Sequence, residues 1–165
     1  MKTLRISFEE HWFRGSAALR LGGKYYRGAW GVWMEMAPAR HGMQKPIPAA
    51  GGSKYDWQNR KIAFLLSAED LGKLGWALSS GGQGTLLTLH HRYRQKQKTL
   101  QLVLDETGTL FLNAREEDPS EREAEKKAVL LPLSKDALWR LNQCIALAYQ
   151  ETLCHAASEQ EEPML

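Results

Sequence analysis

The 165 residues are 43% hydrophobic and 25% charged, a globular balance with enough chain for one compact domain and its core. No apolar run approaches the ~20 residues of a membrane-spanning helix, and the opening Met1–Glu10 turns acidic early, unlike a secretory leader or a transit peptide. The net charge of +3 is unevenly spread: residues 1–115 hold 17 Lys/Arg against 8 Asp/Glu, and residues 116–165 hold 5 against 11.

Trp12–Leu21 and Tyr25–Met36 are rich in aromatic, branched and long apolar residues, punctuated by Gly15, Gly22-Gly23, Gly28 and Gly31. That pattern predicts twisted strands joined by tight turns. Alternation puts Trp30, Val32, Met34 and Met36 on a core face, with Trp33 and Glu35 on the other. A Pro/Gly-rich loop is expected from Ala37 to Gly52, and then a strand over Lys61–Leu66. Ser67, with Asp70 three residues later, opens a helix in the manner of a capping box. Leu71, Leu74 and Leu78 follow at helical spacing until Ser79-Ser80-Gly81-Gly82. Strands are expected at Thr85–Arg92, Thr99–Leu104 and Thr109–Asn113, the last with Leu110 and Leu112 inward and Phe111 and Asn113 outward. Glu116–Glu121 reads as a mobile acidic connection, Lys127–Leu133 as a strand, and Ser134 as the cap of a second helix. Leu138, Leu141, Ile145 and Ala148 would be its buried stripe. Cys144 and Cys154 lie ten apart on that helix and cannot pair within it, so a reduced, cytoplasmic setting is expected, nucleoid-associated in a bacterium. Residues 158–165 read as a disordered acidic tail.

The two halves echo each other. In each, a strand runs into a serine (Ser67, Ser134) with leucines four and seven residues later. One domain over residues 1–157 is expected, built from two units of four strands and a helix at about 10–80 and 84–155.

Lys54-Tyr55-Asp56-Trp57-Gln58-Asn59-Arg60-Lys61 leads into a strand, a Leu-Ser helix start and Glu69-Asp70-Leu71-Gly72-Lys73-Leu74. This block resembles the Whirly family of single-stranded nucleic-acid-binding proteins. Phe13-Arg14-Gly15-Ser16-Ala17-Ala18-Leu19 is similar to the family's Tyr-Lys-Gly-Lys-Ala-Ala-Leu hairpin, and Gly31–Pro38 to its strand ending in Ala-Pro. The likeness covers roughly residues 10–155. It implies an α+β fold of two antiparallel four-stranded sheets, each followed by a helix, and a homotetramer joined through the helices. It also implies single-stranded DNA laid across sheet edges with little sequence preference. Ser16 stands where the family hairpin has its second lysine, which in plant relatives supports assembly beyond the tetramer. The same fold serves kinetoplastid mitochondrial RNA-binding proteins, which keeps RNA open as the ligand.

Holding single strands without reading sequence requires aromatic faces for bases and cations for phosphates. The candidate stacking faces are Trp12, Tyr25, Trp33, Tyr55 and Trp57, and the candidate phosphate contacts are Arg14, Arg20, Lys24, Arg60 and Lys61. Arg92, at a basic turn with Arg94, Lys96 and Lys98, extends the track, and Phe111 adds an outward ring. The loop position of Trp57 suits either stacking on a base or anchoring the loop. Trp76 and Trp139, both on helices, are expected to pack in cores or helix interfaces. His90 and His91, adjacent on a strand, face opposite ways. No metal motif, phosphate-binding loop, dinucleotide fingerprint or nucleophile elbow is present, so neither a cofactor nor catalysis is expected. The expected role is coating single-stranded DNA in replication, repair, transfer or transcription. The acidic tail, ending in Met164-Leu165, resembles those of bacterial single-strand binding proteins and is a candidate docking point for a protein partner. Two rivals share these residues: an RNA-binding or annealing protein on the same fold, and an interaction scaffold whose tryptophans build an oligomer interface.

Overall fold

The structure, a computed structural model, describes residues 5–26, 28–40, 54–120 and 126–160. Among these the chain order is β1 (Arg5–Phe13), β2 (Ala17–Tyr26), β3 (Ala29–Pro38), β4 (Ile62–Leu66), α1 (Ala68–Ser79), β5 (Gly84–Tyr93), β6 (Lys96–Leu104), β7 (Leu110–Glu117), β8 (Lys127–Leu133) and α2 (Lys135–Gln160). They form two four-stranded antiparallel sheets, ordered β1-β2-β3-β4 and β5-β6-β7-β8, each leading into a helix. This is the α+β repeat that the echo between the halves predicted.

The alternation along β3 is as expected on the inner face, where Val32, Met34 and Met36 are buried. So is that along β7, with Leu110 and Leu112 buried and Phe111 and Asn113 half-buried. Ser67 and Asp70 make the reciprocal capping box of α1, at 3.1 Å in each direction. Leu71, Leu74 and Ala77 of α1 and Ala137, Leu141, Ile145 and Ala148 of α2 are the buried helical positions, with Leu78 and Leu138 partly buried beside them. Leucines, methionines and Phe64 from both inner faces join these in one core. Each large buried side chain contributes about 1.5–3 kcal/mol.

Three expectations are corrected. Gly22-Gly23 and Gly31 lie inside strands rather than at turns. Neighbours occupy the space a side chain would take: a Cβ at Gly23 would fall 2.1 Å from Trp30 Cη2 and 2.6 Å from Phe8 Cε1, and one at Gly31 2.8 Å from Leu65 Cδ1. The reversal between β2 and β3 occurs instead around Gly28, whose φ of 82° suits glycine. Glu116 and Glu117 belong to β7, not to a mobile connection. Glu116 is buried and ion-paired with Lys127 at 3.3 Å and Lys98 at 3.8 Å. Finally, α2 runs to Gln160, into the segment expected to be a tail. Residues 161–165, like 41–53 of the Pro/Gly-rich loop and 121–125 of the acidic stretch, lie outside the described residues.

Each half's first hairpin reaches the strand-to-helix junction of the other. Trp12 Nε1 donates to the Ala137 carbonyl at 3.2 Å, and Arg14 donates to the Pro132 carbonyl at 3.1 Å and to Ser134 Oγ at 2.8 Å. From the second half, His91 Nε2 lies 2.9 Å from Asp70 Oδ2, and Lys98 Nζ donates to the Ala63 carbonyl at 2.6 Å. These ties fix the β4 edge of one sheet against the β5–β6 hairpin of the other.

Candidate nucleic-acid interface

Between that β4 edge and the β5–β6 hairpin opens a groove of about 710 Å³. Trp33, Ala63 and Leu65 line it from the outer face of the first sheet, and His90, Arg92 and Tyr93 from the second, with Lys98, His91 and Asp70 also contributing. Pairing puts Trp33 beside Leu65, which is half exposed, so the apolar wall is an indole next to an aliphatic side chain. On the opposite rim Tyr93 is 65% exposed, and the Arg94 guanidinium lies 5.3 Å from its ring centroid. Arg94 holds φ at 56° in the two-residue turn between β5 and β6. Lys98 is committed to the Ala63 carbonyl, and its burial lowers the ammonium pKa below the usual range against the pull of Glu116. The groove therefore offers aromatic surface on two walls and arginines at its rim.

Beside Trp33, the outer face of the first sheet carries a buried carboxylate under three cations. Glu35 accepts from Arg20 Nε at 3.3 Å, Arg20 Nη2 at 3.0 Å and Lys24 Nζ at 3.0 Å, and Lys61 Nζ pairs with it at 2.8 Å. Burial by itself pushes the Glu35 carboxyl up. The bonds from Arg20, Lys61 and Lys24 overrule it and hold the pKa down to about 2. Three cations meet over this carboxylate, and Glu9 lies 3.9 Å from Lys24, so the cluster keeps a local excess of one positive charge at the groove's flank.

Several candidate residues have other partners. Trp12 is 3% exposed, so it presents no face to a base; it faces inward opposite Leu19. Arg14 spans the two halves. Tyr55 is 6% exposed, its hydroxyl donates to the Arg14 carbonyl, and burial raises its pKa. Arg60 donates to the Asp56 carboxylate at 3.2 Å and to the Ala39 carbonyl at 2.7 Å. Asp56 also caps the Asn59 N–H at 3.0 Å, which holds its carboxyl below the usual range. The Tyr-Asp-Trp segment thus folds back on the end of β3, where Asp56 N donates to the Pro38 carbonyl at 2.9 Å. Trp57 is half-buried against Ala18, Ala37 and Tyr55. Tyr25 lies away from the groove, bonding His155 Nδ1 at 2.9 Å while Trp30 stacks on the same imidazole at 4.2 Å. Phe111 sits on the outer face of the second sheet, in the same row as a shallow depression of about 290 Å³ that Asn113 and Arg115 line. The structure therefore gathers Trp33 and Arg92 in one groove with Arg20, Lys24 and Lys61 beside it, and leaves the remaining candidates elsewhere.

Residues not singled out in the sequence also stand out. Phe13 is 58% exposed and lies on the outer face next to His11. Its signal was the period of two: with Trp12 paired to core Leu19, Phe13 must point out. Trp76 and Trp139 are 77% and 64% exposed, so neither packs in this chain's core. With Leu147, Tyr149 and Leu153 they leave the helical layer apolar on its outside. Among the described residues no three His, Cys, Asp or Glu side chains come together as a metal site, and no helix is long and apolar enough to cross a membrane.

No family model matches the sequence, and no curated protein matches it at a significant level. Solved structures do match. WHY3 from Arabidopsis thaliana superposes with a TM-score of 0.68 at 18% identity, covering 94% of each chain. The plant transcriptional regulator PBF-2 gives a TM-score of 0.66 at 20% identity, covering 100% of this chain and 91% of the other. MRP1/MRP2 from Trypanosoma brucei gives 0.56 at 16% identity, covering 98% of this chain and 100% of the other. Superposing on these structures over almost its whole length, the chain has the Whirly-like fold.

Proposed function

We propose that this chain binds single-stranded nucleic acid, DNA in the first instance, with little sequence preference, and that it works by binding rather than catalysis. The observation that carries the reading is the groove at Trp33, where aromatic and aliphatic side chains face Arg92 and Tyr93 at the end of β5 across a cleft of about 710 Å³. Bases would stack on Trp33 and Tyr93. Phosphates would run between Arg92, Arg94 and the outward surface of the Arg20–Lys24–Lys61 cluster. Stacking contributes roughly 1–3 kcal/mol per base and tolerates any base, whereas phosphate contacts make affinity fall with salt. The apolar outer side of the helices, with Trp76 and Trp139, supports a homotetramer joined there. Coating single strands during replication, repair, transfer or transcription is the role this chemistry suits.

The test is a tryptophan-fluorescence titration with a dT oligomer of about 30 nucleotides, repeated with the matching RNA and a duplex at two salt concentrations. Strong quenching by the single strand, weak quenching by the duplex, and weakening by salt support the reading. Equal or tighter binding of RNA would move the ligand to RNA, because the 2′-OH is the handle for that discrimination. No quenching and no retention at low salt would leave an interaction scaffold.

A further inference from the structure

Resting on the reading of the chain as a single-strand binder, we infer that the groove takes up protons as it fills, His90 and His91 being phosphate contacts in their charged forms. Both line the groove, although they are adjacent on β5 and point to opposite faces. They do so because β5 is an edge strand of its sheet and offers both of its faces to one cleft. His90 is exposed and has no side-chain partner among the described residues. His91 is half-buried, with the Phe64 ring edge-on at 5.6 Å and its own Nε2 2.9 Å from Asp70 Oδ2. An ionised carboxylate only accepts, so Nε2 carries a hydrogen whether the ring is neutral or charged. The proton that comes and goes is therefore the one on Nδ1, which has no partner among the described residues. Neutral, that nitrogen is an acceptor; charged, it is an N–H donor. Only the second state can hold a phosphate oxygen there.

The other charges around these rings are fixed. On α1, Asp70 accepts from the Ser67 N–H at 3.1 Å through the same oxygen that meets His91, so its charge stays at the groove wall. On β6, Lys98 stands in register with His91, but its ammonium is committed to the Ala63 carbonyl, with Glu116 of β7 behind it at 3.8 Å. Glu116 is also held by Lys127 of β8 at 3.3 Å, and Lys61, before β4, pairs with Glu35 at 2.8 Å. Beside His90 the cross-strand row holds Thr99 and then Arg115. Arg92 follows on β5 itself and, like Arg115, keeps its charge at every pH of interest. Imidazoles exchange theirs between pH ~5 and ~8. A neutral His91 leaves the Asp70 charge facing the groove, and a charged one cancels it; His90 adds a cation of its own. A phosphate stabilises the charged rings, so by reciprocity binding draws protons in. Affinity is then highest at low pH and is lost as pH rises.

The experiment measures fluorescence anisotropy of a labelled dT oligomer of about 30 nucleotides on the full chain at pH ~5.5, ~6.5 and ~7.5. Neither thymine nor a phosphodiester titrates in that range. Titration calorimetry in two buffers of different ionisation enthalpy counts the protons taken up. Wild-type affinity is expected to rise roughly ten-fold from pH ~7.5 to ~5.5, with a salt slope steeper by about 0.7 per charged ring at the acid end. The double variant His90→Gln/His91→Gln, in which Gln at position 91 still offers Asp70 a donor, should show no acid gain and no proton uptake. His90→Arg supplies a fixed cation at the exposed position and should tighten binding at pH ~7.5 while lowering the uptake. Burial lowers the Lys98 pKa, so Lys98→Met is the control, expected to keep the acid dependence, as is His11→Gln on β1. A thermal melt accompanies each variant. Should the double variant melt early, His90→Gln alone is expected to lower the uptake, and an unchanged uptake overturns the inference. A wild type of equal affinity at all three pH values that takes up no protons overturns it while leaving the groove standing. So does an acid dependence that survives in a folded double variant or disappears in Lys98→Met. No binding at any pH overturns the parent reading as well.

Discussion

The guanidinium carbon of Arg20 lies 4.5 Å from the centroid of the Trp57 ring, while the same guanidinium holds Glu35 through two nitrogens. The Trp57 indole therefore joins the Tyr-Asp-Trp loop to the outer face of the first sheet, with Ala18, Ala37 and Tyr55 in the same cluster.

Trp57→Ala should accordingly act on stability. It removes half-buried apolar area and a cation–π contact, at a cost of about 2 kcal/mol. The expected result is a lower melting temperature by circular dichroism, with oligonucleotide affinity falling less than in Trp33→Ala. An unchanged melting temperature with reduced affinity on all sequences alike would make Trp57 a stacking residue instead.

Glu35 makes the stability pH-dependent in a defined window. Its folded pKa of about 2 lies below the ordinary glutamate value of 4.5, so its stabilisation is fully present above pH ~4.5 and is lost as pH falls toward ~2. Denaturant midpoints measured across that range should fall for the wild type, and the fall should be shallower in Glu35→Gln. At neutral pH the same variant gives up a charged acceptor of four contacts, at roughly 1–3 kcal/mol. An identical acid limb in both proteins would mean that other carboxylates carry the transition.

How far the sequence reveals this arrangement depends on where the deciding interactions lie. The phase of β3 was readable because Val32, Met34 and Met36 keep a clean period of two, and the start of α1 because Ser67 and Asp70 are a local pair. Trp12 and Phe13 could not be told apart from their own segment. The inner row of β1 includes Glu10, whose carboxylate reaches Arg140 on α2 at 2.7 Å, and a charge in that row hides the alternation. The cation cluster was hidden for a different reason. Arg20, Lys24, Glu35 and Lys61 come from β2, β3 and the residue before β4, and register alone brings them together. Arg14 and Arg60 looked like phosphate ligands because a basic residue in a turn carries no mark of the carbonyl that will receive it. The exposure of Trp76 and Trp139 followed from how the two helices pack together, which helical spacing does not encode.

Trp33→Ala tests the groove directly. Trp33 is half-buried and its neighbours Leu65 and Ala63 remain, so the melting temperature should change little. Affinity for a dT oligomer of about 30 nucleotides should fall roughly ten-fold, with the salt slope unchanged, since stacking and not counterion release is lost. Arg92→Ala should do the reverse, with a shallower salt slope and a smaller loss at high salt. The two slopes, measured by anisotropy at several salt concentrations, distinguish an aromatic contact from a phosphate contact. Matching slopes in the two variants would count against the division of labour proposed for the groove.

The helical layer gives the last prediction. Trp76 lies in α1 against a groove of about 370 Å³ between the helices that Gly72, Gly75 and Ala146 also line, and it is 77% exposed. A tryptophan left this open beside small residues of both helices provides a bulky apolar side chain and a hollow on one surface. Such a surface is suited to self-association by a two-fold axis, each copy contributing both parts. Trp76→Glu should therefore leave the circular dichroism spectrum native while shifting the chain to a smaller species in light scattering. Because the groove at Trp33 lies at the β4 edge, the dissociated variant should, on the proposed function, still bind short oligomers and lose affinity for long ones that bridge protomers. A wild type that is already monomeric at high concentration would remove the helix-joined tetramer and leave the apolar layer to a different partner.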